Sequence, residues 1–177
     1  MGNKSKISIL FFSKKNWTYS TQALDLLRHL NFDVTPVFTS SRDEIIDEDI
    51  GWWQGDYIIS FRSYHIIEKS LLRRASCAAI NFHPAPVDYP GSGCTNWALY
   101  EDAKEYGVTV HIMNEKIDNG EIIECRRFPI FEYDNIETLL QRTYHKMYDL
   151  FLDTITGIKL NSMDFINAKI IPVGPKA

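Results

Sequence analysis

Residues 6–13, KISILFFS, form an apolar, β-rich run that predicts a buried strand. Behind it Ala23, Leu24, Leu27 and Leu30 recur at helical spacing, with Ser20 or Thr21 as the cap. Residues 33–40, DVTPVFTS, predict a second strand, which Pro36 places at a sheet edge or a bulge. The acidic, mixed segment 41–55 reads as a loop or short helix. Residues 56–61 predict a third strand, 66–75 a short helix, and 77–83 a small, apolar central strand. A helix is expected over 94–106, then two strands within 107–130 that turn at Asn119-Gly120. The longest helix, 135–155, carries Ile136, Leu139, Leu140, Tyr144, Met147, Leu150 and Phe151 on one stripe and ends near Gly157. Residues 158–177 carry only weak signals. Alternating strands and helices give an α/β fold class, with a mostly parallel sheet, a C-terminal antiparallel strand pair and a long helix. The expected organisation is one domain over 1–160 and a short tail over 161–177.

Composition narrows the function classes. The 177 residues carry a net charge of −4 and a pI near 5.7, so no nucleic-acid footprint is visible. The basic pairs Lys14-Lys15, Arg73-Arg74 and Arg126-Arg127 are short and read as solvated faces or local ion-pair partners. Three cysteines, Cys77, Cys94 and Cys125, show no CxxC spacing, which fits a reducing compartment. No signal-peptide core and no apolar run long enough to span a membrane stands out, so a cytoplasmic, membrane-free protein is expected. The histidines lack zinc-type spacing, and no metal is expected.

The stretch AAINFHPAPVDYPGSG, 78–93, is where chemistry is expected. In open α/β sheets, ligands sit beyond the carboxyl ends of strands. Asn81 and His83 lie at such an end, two residues apart, so their side chains project to the same side. Pro84, Pro86 and Pro90 stiffen the loop behind them, and Gly91 and Gly93 leave room for a close backbone approach to a ligand. The alternative reading is that both polar side chains merely cap the strand end. A carboxylate to orient the imidazole is available in Asp118, and Asp88 lies in the loop itself.

INFHPAPVDYPGSG followed by NWAL, and then GVTVHIMNEKIDNGEII, resembles the formyltransferases that use N10-formyltetrahydrofolate. Asn-x-His-Pro, a Pro/Gly loop, a Trp-Ala helix, a Gly-Val-Thr-x-His strand and Ile-Asp-x-Gly occur in the family's order. The likeness is strong over residues 55–130 and loose in the first strand and last helix. It implies a Rossmann-like formyltransferase core. It implies the catalytic triad Asn81, His83 and Asp118, and N10-formyltetrahydrofolate as formyl donor. In such a triad the asparagine donates to an oxygen that becomes negative, worth roughly 3 kcal/mol of barrier. The histidine either takes the amine's proton or, protonated, supports that oxygen. The aspartate holds the imidazole and shuttles protons. The resemblance places the pterin against Tyr64, His65, Ile66 and Ile67 in one segment and Asn114, Glu115 and Ile117 in the other. Ile66 and Ile67 are either walls of that site or core residues of a short helix.

Departures from the family bear on the acceptor amine. Where relatives acting on glycinamide ribonucleotide have a glycine-rich phosphate loop, this chain reads FFSKKNWTYS. Relatives acting on methionyl-tRNA usually carry a further C-terminal nucleic-acid-binding domain, and they read SLLPxYRG where this chain has PAPVDYPGSG. By exclusion the resemblance points to a nucleotide-linked amino sugar, of the kind that enters surface glycans. Lys14, Trp17, Tyr19, Tyr89 and Gly91 are the candidate contacts for it, with Trp52 and Trp53 as further stacking aromatics. Sugar-modifying relatives are often longer, with an extension that aids dimerisation, so a homodimer is the possible assembly. Rival readings are transfer to methionyl-tRNA or another amine, hydrolysis of the formyl folate, a Cys94–His83 thiol hydrolase, and a binder that keeps the fold. His111 either faces the same cleft or is a satisfied sheet histidine.

Overall fold

The computed structural model describes residues 6–114 and 120–170. They form a six-stranded mixed sheet with strand order β2-β1-β3-β4-β5-β6. The chain divides into two compact units, Met1–Ile80 and Asn81–Ala177.

In the first unit, β1 (Ser8–Lys14) pairs in parallel with β2 (Asp33–Thr39) and β3 (Gly55–Phe61). Ile9, Leu10, Phe11 and Phe12 are fully buried, as a parallel strand covered on both faces requires. Pro36 sits opposite Phe11 on β2, the edge strand of the order, where a missing N–H costs the ladder least. The Asp56 carboxylate accepts from the Ser8 N–H at 2.7 Å and the Ser8 hydroxyl at 2.9 Å, tying the start of β1 to that of β3.

Helix α1 (Thr18–His29) starts earlier than its sequence suggested. Ser20 is not its cap: the hydroxyl is buried and donates to the Lys14 carbonyl at 2.7 Å, so the strand end uses it instead. Asn31, in the left-handed region at φ 61°, ends the helix, so Leu30 falls outside it. The acidic segment contains a 3₁₀ turn, Glu48–Trp52, capped by Asp47. The expected helix at 66–75 shrinks to one turn, α2 (Lys69–Leu72), because the next strand, β4 (Ala75–His83), begins at once. Ile66 and Ile67 therefore lie in irregular backbone, and neither is a core residue.

In the second unit, α3 (Cys94–Tyr100) is shorter than expected, because Asp102 adopts φ 53° and the chain then enters β5 (Glu105–Ile112). β5 pairs antiparallel with β6 (Ile122–Pro129). The expected turn at Asn119 lies outside the described residues. Helix α4 (Ile136–Asn161) opens on a reciprocal Asn135–Thr138 capping box, with both bonds at 3.0 Å. Its buried stripe includes Leu139, Met147, Leu150, Phe151, Ile155 and Ile158, whereas Ile136 stays exposed.

The helix does not stop at Gly157. That glycine is buried inside α4 because the ring of Phe165, on α5 (Met163–Lys169), fills the space a Cβ would need. Part of the weakly signalled tail is thus a helix folded back on α4. Glu124 on β6 clamps it, pairing with Lys169 of α5 and with Arg126, which reaches Asp153 of α4 at 2.8 Å. Among the described residues, no helix is long and apolar enough to cross a membrane, and no group of acidic, histidine or cysteine side chains is set to hold a metal.

Candidate functional site

Two polar residues end β4, and each has a defined partner. Asn81 Nδ2 lies 3.1 Å from His111 Nε2, and His111 Nδ1 lies 2.9 Å from the Ile112 carbonyl. A carbonyl only accepts, so Nδ1 carries the proton; in the neutral ring Nε2 is then the acceptor of the Asn81 amide. His83 is 7 % exposed, and its Nε2 lies 3.0 Å from the Tyr89 carbonyl, to which it donates. In the neutral ring the lone pair is therefore on Nδ1.

The loop after β4 supplies that carbonyl and is itself anchored. Arg127 on β6 pairs with Asp88. The Tyr89 hydroxyl donates to Glu101 at 2.8 Å, and this bond to a carboxylate raises the phenol's pKa above its usual value. The Tyr89 ring lies 6.1 Å from that of Tyr106, whose hydroxyl donates to the Pro84 carbonyl at 3.1 Å. Burial holds the Tyr106 phenol protonated. Thr109 donates to the Ala85 carbonyl at 2.8 Å. Gly91 and Gly93 have φ 88° and 74°, so backbone conformation explains both glycines.

Cys94 Sγ is 3.9 Å from His83 Nε2 but donates to the Gly91 carbonyl at 3.3 Å. The ring nitrogen that faces the sulfur carries its own proton toward Tyr89. A neutral His83 in this tautomer takes no proton from the thiol, which argues against a Cys94–His83 nucleophile pair.

The other candidate residues on the first unit are placed as follows. Trp17 packs against Tyr19 and Phe61, and the Arg62 guanidinium sits 5.0 Å from its ring centre. Lys14 Nζ is 5.8 Å from the ring centre of Tyr64. Lys15 pairs with Glu44, which also accepts from the Ser40 N–H; that bond, ahead of Lys15, lowers the carboxyl's pKa. Trp52 is exposed beneath Arg74. Tyr64 and Ile66 are 37 % and 52 % exposed. His65 stacks on Phe12 with rings 6° from parallel, and burial lowers its pKa against a weaker opposing pull from Glu68. Asn114 is described, whereas Glu115, Ile117 and Asp118 lie outside the described residues.

His111, left open by its sequence, is a bonded partner of Asn81. The Gly-Val-Thr-x-His pattern was the available signal, but only the contact between a β4 side chain and a β5 side chain shows which residue it meets.

Methionyl-tRNA formyltransferase of Listeria monocytogenes serotype 4a is 31 % identical over 126 residues, 70 % of this chain and 38 % of that protein. The chain thus spans well under half the length of this curated relative. The formyltransferase PseJ from Anoxybacillus kamchatkensis was solved with UDP-4,6-dideoxy-4-formamido-L-AltNAc and tetrahydrofolate. It matches at TM-score 0.76 and 25 % identity, over 96 % of this chain and 82 % of that one. An N-formyltransferase from Helicobacter canadensis, in complex with folinic acid and dTDP-3-aminofucose, shares the fold at TM-score 0.73 and 18 % identity. That match covers 88 % of this chain and 65 % of the other. With residues 3–155 matching the model of the Formyl transferase family, the chain belongs to that family.

Proposed function

We propose that this protein transfers the formyl group of N10-formyltetrahydrofolate to a primary amine on a nucleotide-linked amino sugar. The observation that carries formyl transfer is the pair at the end of β4: an amide held as a donor and an imidazole held in one tautomer. The sugar acceptor is supported by the likeness to PseJ, which was solved with a UDP-linked formamido sugar.

The residues of segment 64–67 fit a flat, polar heterocycle. The backbone there is outside helix and strand, Tyr64 and Ile66 are exposed apolar surface, and the buried His65 Nδ1 has no hydrogen-bond partner among the described residues. Tyr64, His65, Ile66, Ile67 and Asn114 are the residues we assign to the folate, with Glu115 and Ile117 outside the described residues. When bound, N10-formyltetrahydrofolate supplies the formyl carbon and a leaving nitrogen that ends protonated.

Asn81 donates from Nδ2 to the oxygen that gathers negative charge, a contribution of about 3 kcal/mol. His83 takes the amine proton at Nδ1. Its Nε2–H stays on the Tyr89 carbonyl in both protonation states, so the ring keeps its orientation through the cycle. Asp118 is assigned the counter-charge for the protonated imidazole. Lys14, Trp17, Tyr19, Tyr89 and Gly91 remain the proposed acceptor contacts.

A second reading, methionyl-tRNA as acceptor, is favoured by the 31 % identity to the Listeria enzyme. The test is incubation with N10-formyltetrahydrofolate and, separately, UDP- and dTDP-linked amino sugars, methionyl-tRNA, or water alone. A formamido sugar nucleotide is expected. Formylation of methionyl-tRNA alone would overturn the acceptor, and tetrahydrofolate release with water alone would make the protein a hydrolase. No turnover, with no binding of 5-formyltetrahydrofolate, would sink the reading entirely.

A further inference from the structure

We propose that His111 is a positioning residue for Asn81: it locks the amide with its nitrogen as the donor, and Gly120 sets that lock. The inference rests on the formyl-transfer reading and deepens it.

An asparagine amide is chemically ambiguous, because rotation by half a turn exchanges its donor for its acceptor. An oxyanion donor of fixed polarity needs something to choose between the two. Here the choice runs along a chain of contacts. The Ile112 carbonyl accepts from His111 Nδ1 at 2.9 Å, which consumes that ring nitrogen as the donor. His111 Nε2 then presents a lone pair, which the Asn81 nitrogen satisfies at 3.1 Å. Turning the amide over would set its oxygen against that lone pair, in a site where His111 is only 5 % exposed and water is a poor substitute. The second hydrogen of the same nitrogen is then the one that meets the developing charge.

Gly120 explains why the carbonyl stays in place. A Cβ on residue 120 would lie 1.7 Å from the Ile112 oxygen and 3.6 Å from His111 Nδ1. Only glycine allows the backbone to approach the carbonyl that anchors the ring. The Ile112 N–H is held from the same side by the Glu121 carbonyl at 2.9 Å. The glycine of the Ile-Asp-x-Gly motif and the histidine of the Gly-Val-Thr-x-His motif thus belong to one device.

Two measurements on the intact chain test it. In 15N-histidine-labelled protein at alkaline pH, His111 should show a protonated Nδ1 and a bare Nε2, and Asn81→Ala should shift the Nε2 resonance. A protonated Nε2 would overturn the proposal whatever the kinetics give. Turnover is followed with N10-formyltetrahydrofolate and the UDP- and dTDP-linked amino sugars or, where none is formylated, as tetrahydrofolate release to water. His111→Met should lower kcat about 10- to 100-fold, no more than Asn81→Ala does, with KM for the folate little changed. His111→Gln, whose side-chain oxygen restores an acceptor, should recover most of the loss. Added to Asn81→Ala, His111→Met should cost little further, because the proposed effect runs through the amide. A multiplicative loss in the double variant, or equal losses in His111→Gln and His111→Met, would reduce His111 to a structural residue. An Asn81→Ala variant of full activity would instead refute the role of Asn81 itself.

Discussion

Replacing Gly157 with alanine should destabilise the protein, although the same change inside a helix normally stabilises. In an ordinary α-helix the swap gains roughly 1 kcal/mol of propensity. In α4 the new methyl would stand 2.3 Å from one Phe165 ring carbon and 2.4 Å from two others. Carbon contacts are comfortable at roughly 3.5–4.0 Å, so the overlap exceeds an ångström on three atoms and no small adjustment relieves it. The ring must leave, and α5 loses its Phe165 contact with α4, keeping the buried Ile166. Overpacking of this kind costs about 1–3 kcal/mol, and displacing the half-buried Phe165 ring adds to it less than a fully buried ring would. The net expectation is a loss of about 1–2 kcal/mol, or a Tm lower by roughly 2–8 °C for a chain of this size. Thermal and urea unfolding followed by circular dichroism provide the assay. The decisive control is Phe165→Ala: in that background Gly157→Ala should regain its ordinary stabilising sign. A higher Tm for Gly157→Ala in the otherwise unchanged chain would refute the packing of α5 on α4.

Three further outcomes are expected. Asn81→Ala and His83→Ala should each lower kcat by about 100-fold or more in a protein that still unfolds cooperatively, with a stability loss of about 1–3 kcal/mol because each leaves a buried partner unpaired; near-full activity in either would refute its assigned role. Cys94→Ser should keep most turnover, because its thiol bonds to a loop carbonyl and takes no part in proton transfer; abolished turnover in a folded variant would return the thiol to the chemistry. For Glu124, burial pushes the carboxyl up, but its hydrogen bonds to Arg126 and Lys169 outweigh that and hold it below its ordinary value of 4.5. A depressed folded-state pKa stabilises above the ordinary value and loses that contribution as pH falls through the folded one. The stability gap between the native chain and Glu124→Gln should be full at neutral pH and close in acid; a gap independent of pH would refute the clamp.

The α/β alternation and the long stripe of α4 were legible because they rest on local periodicity, the central place of β4 because its residues are small and apolar, and the edge position of β2 because Pro36 lacks the N–H that a central strand needs. The Asn81–His83 pair was legible for the same reason: alternation along one strand puts both side chains on one side. Helix ends were less legible, because two candidate caps proved to have other work. The Ser20 hydroxyl serves the end of β1, and Gly157 makes room for a ring eight residues further along. Neither competition is visible until distant segments meet. The same limit applies to His111, whose meaning lies in an amide thirty residues away, and to Tyr89, where a backbone carbonyl fixes the tautomer of His83. Sequence alone determined which residue types stand at the end of β4. Tertiary structure decided which of their atoms donate and which accept, because the direction of a hydrogen bond belongs to a pair of groups and not to either residue.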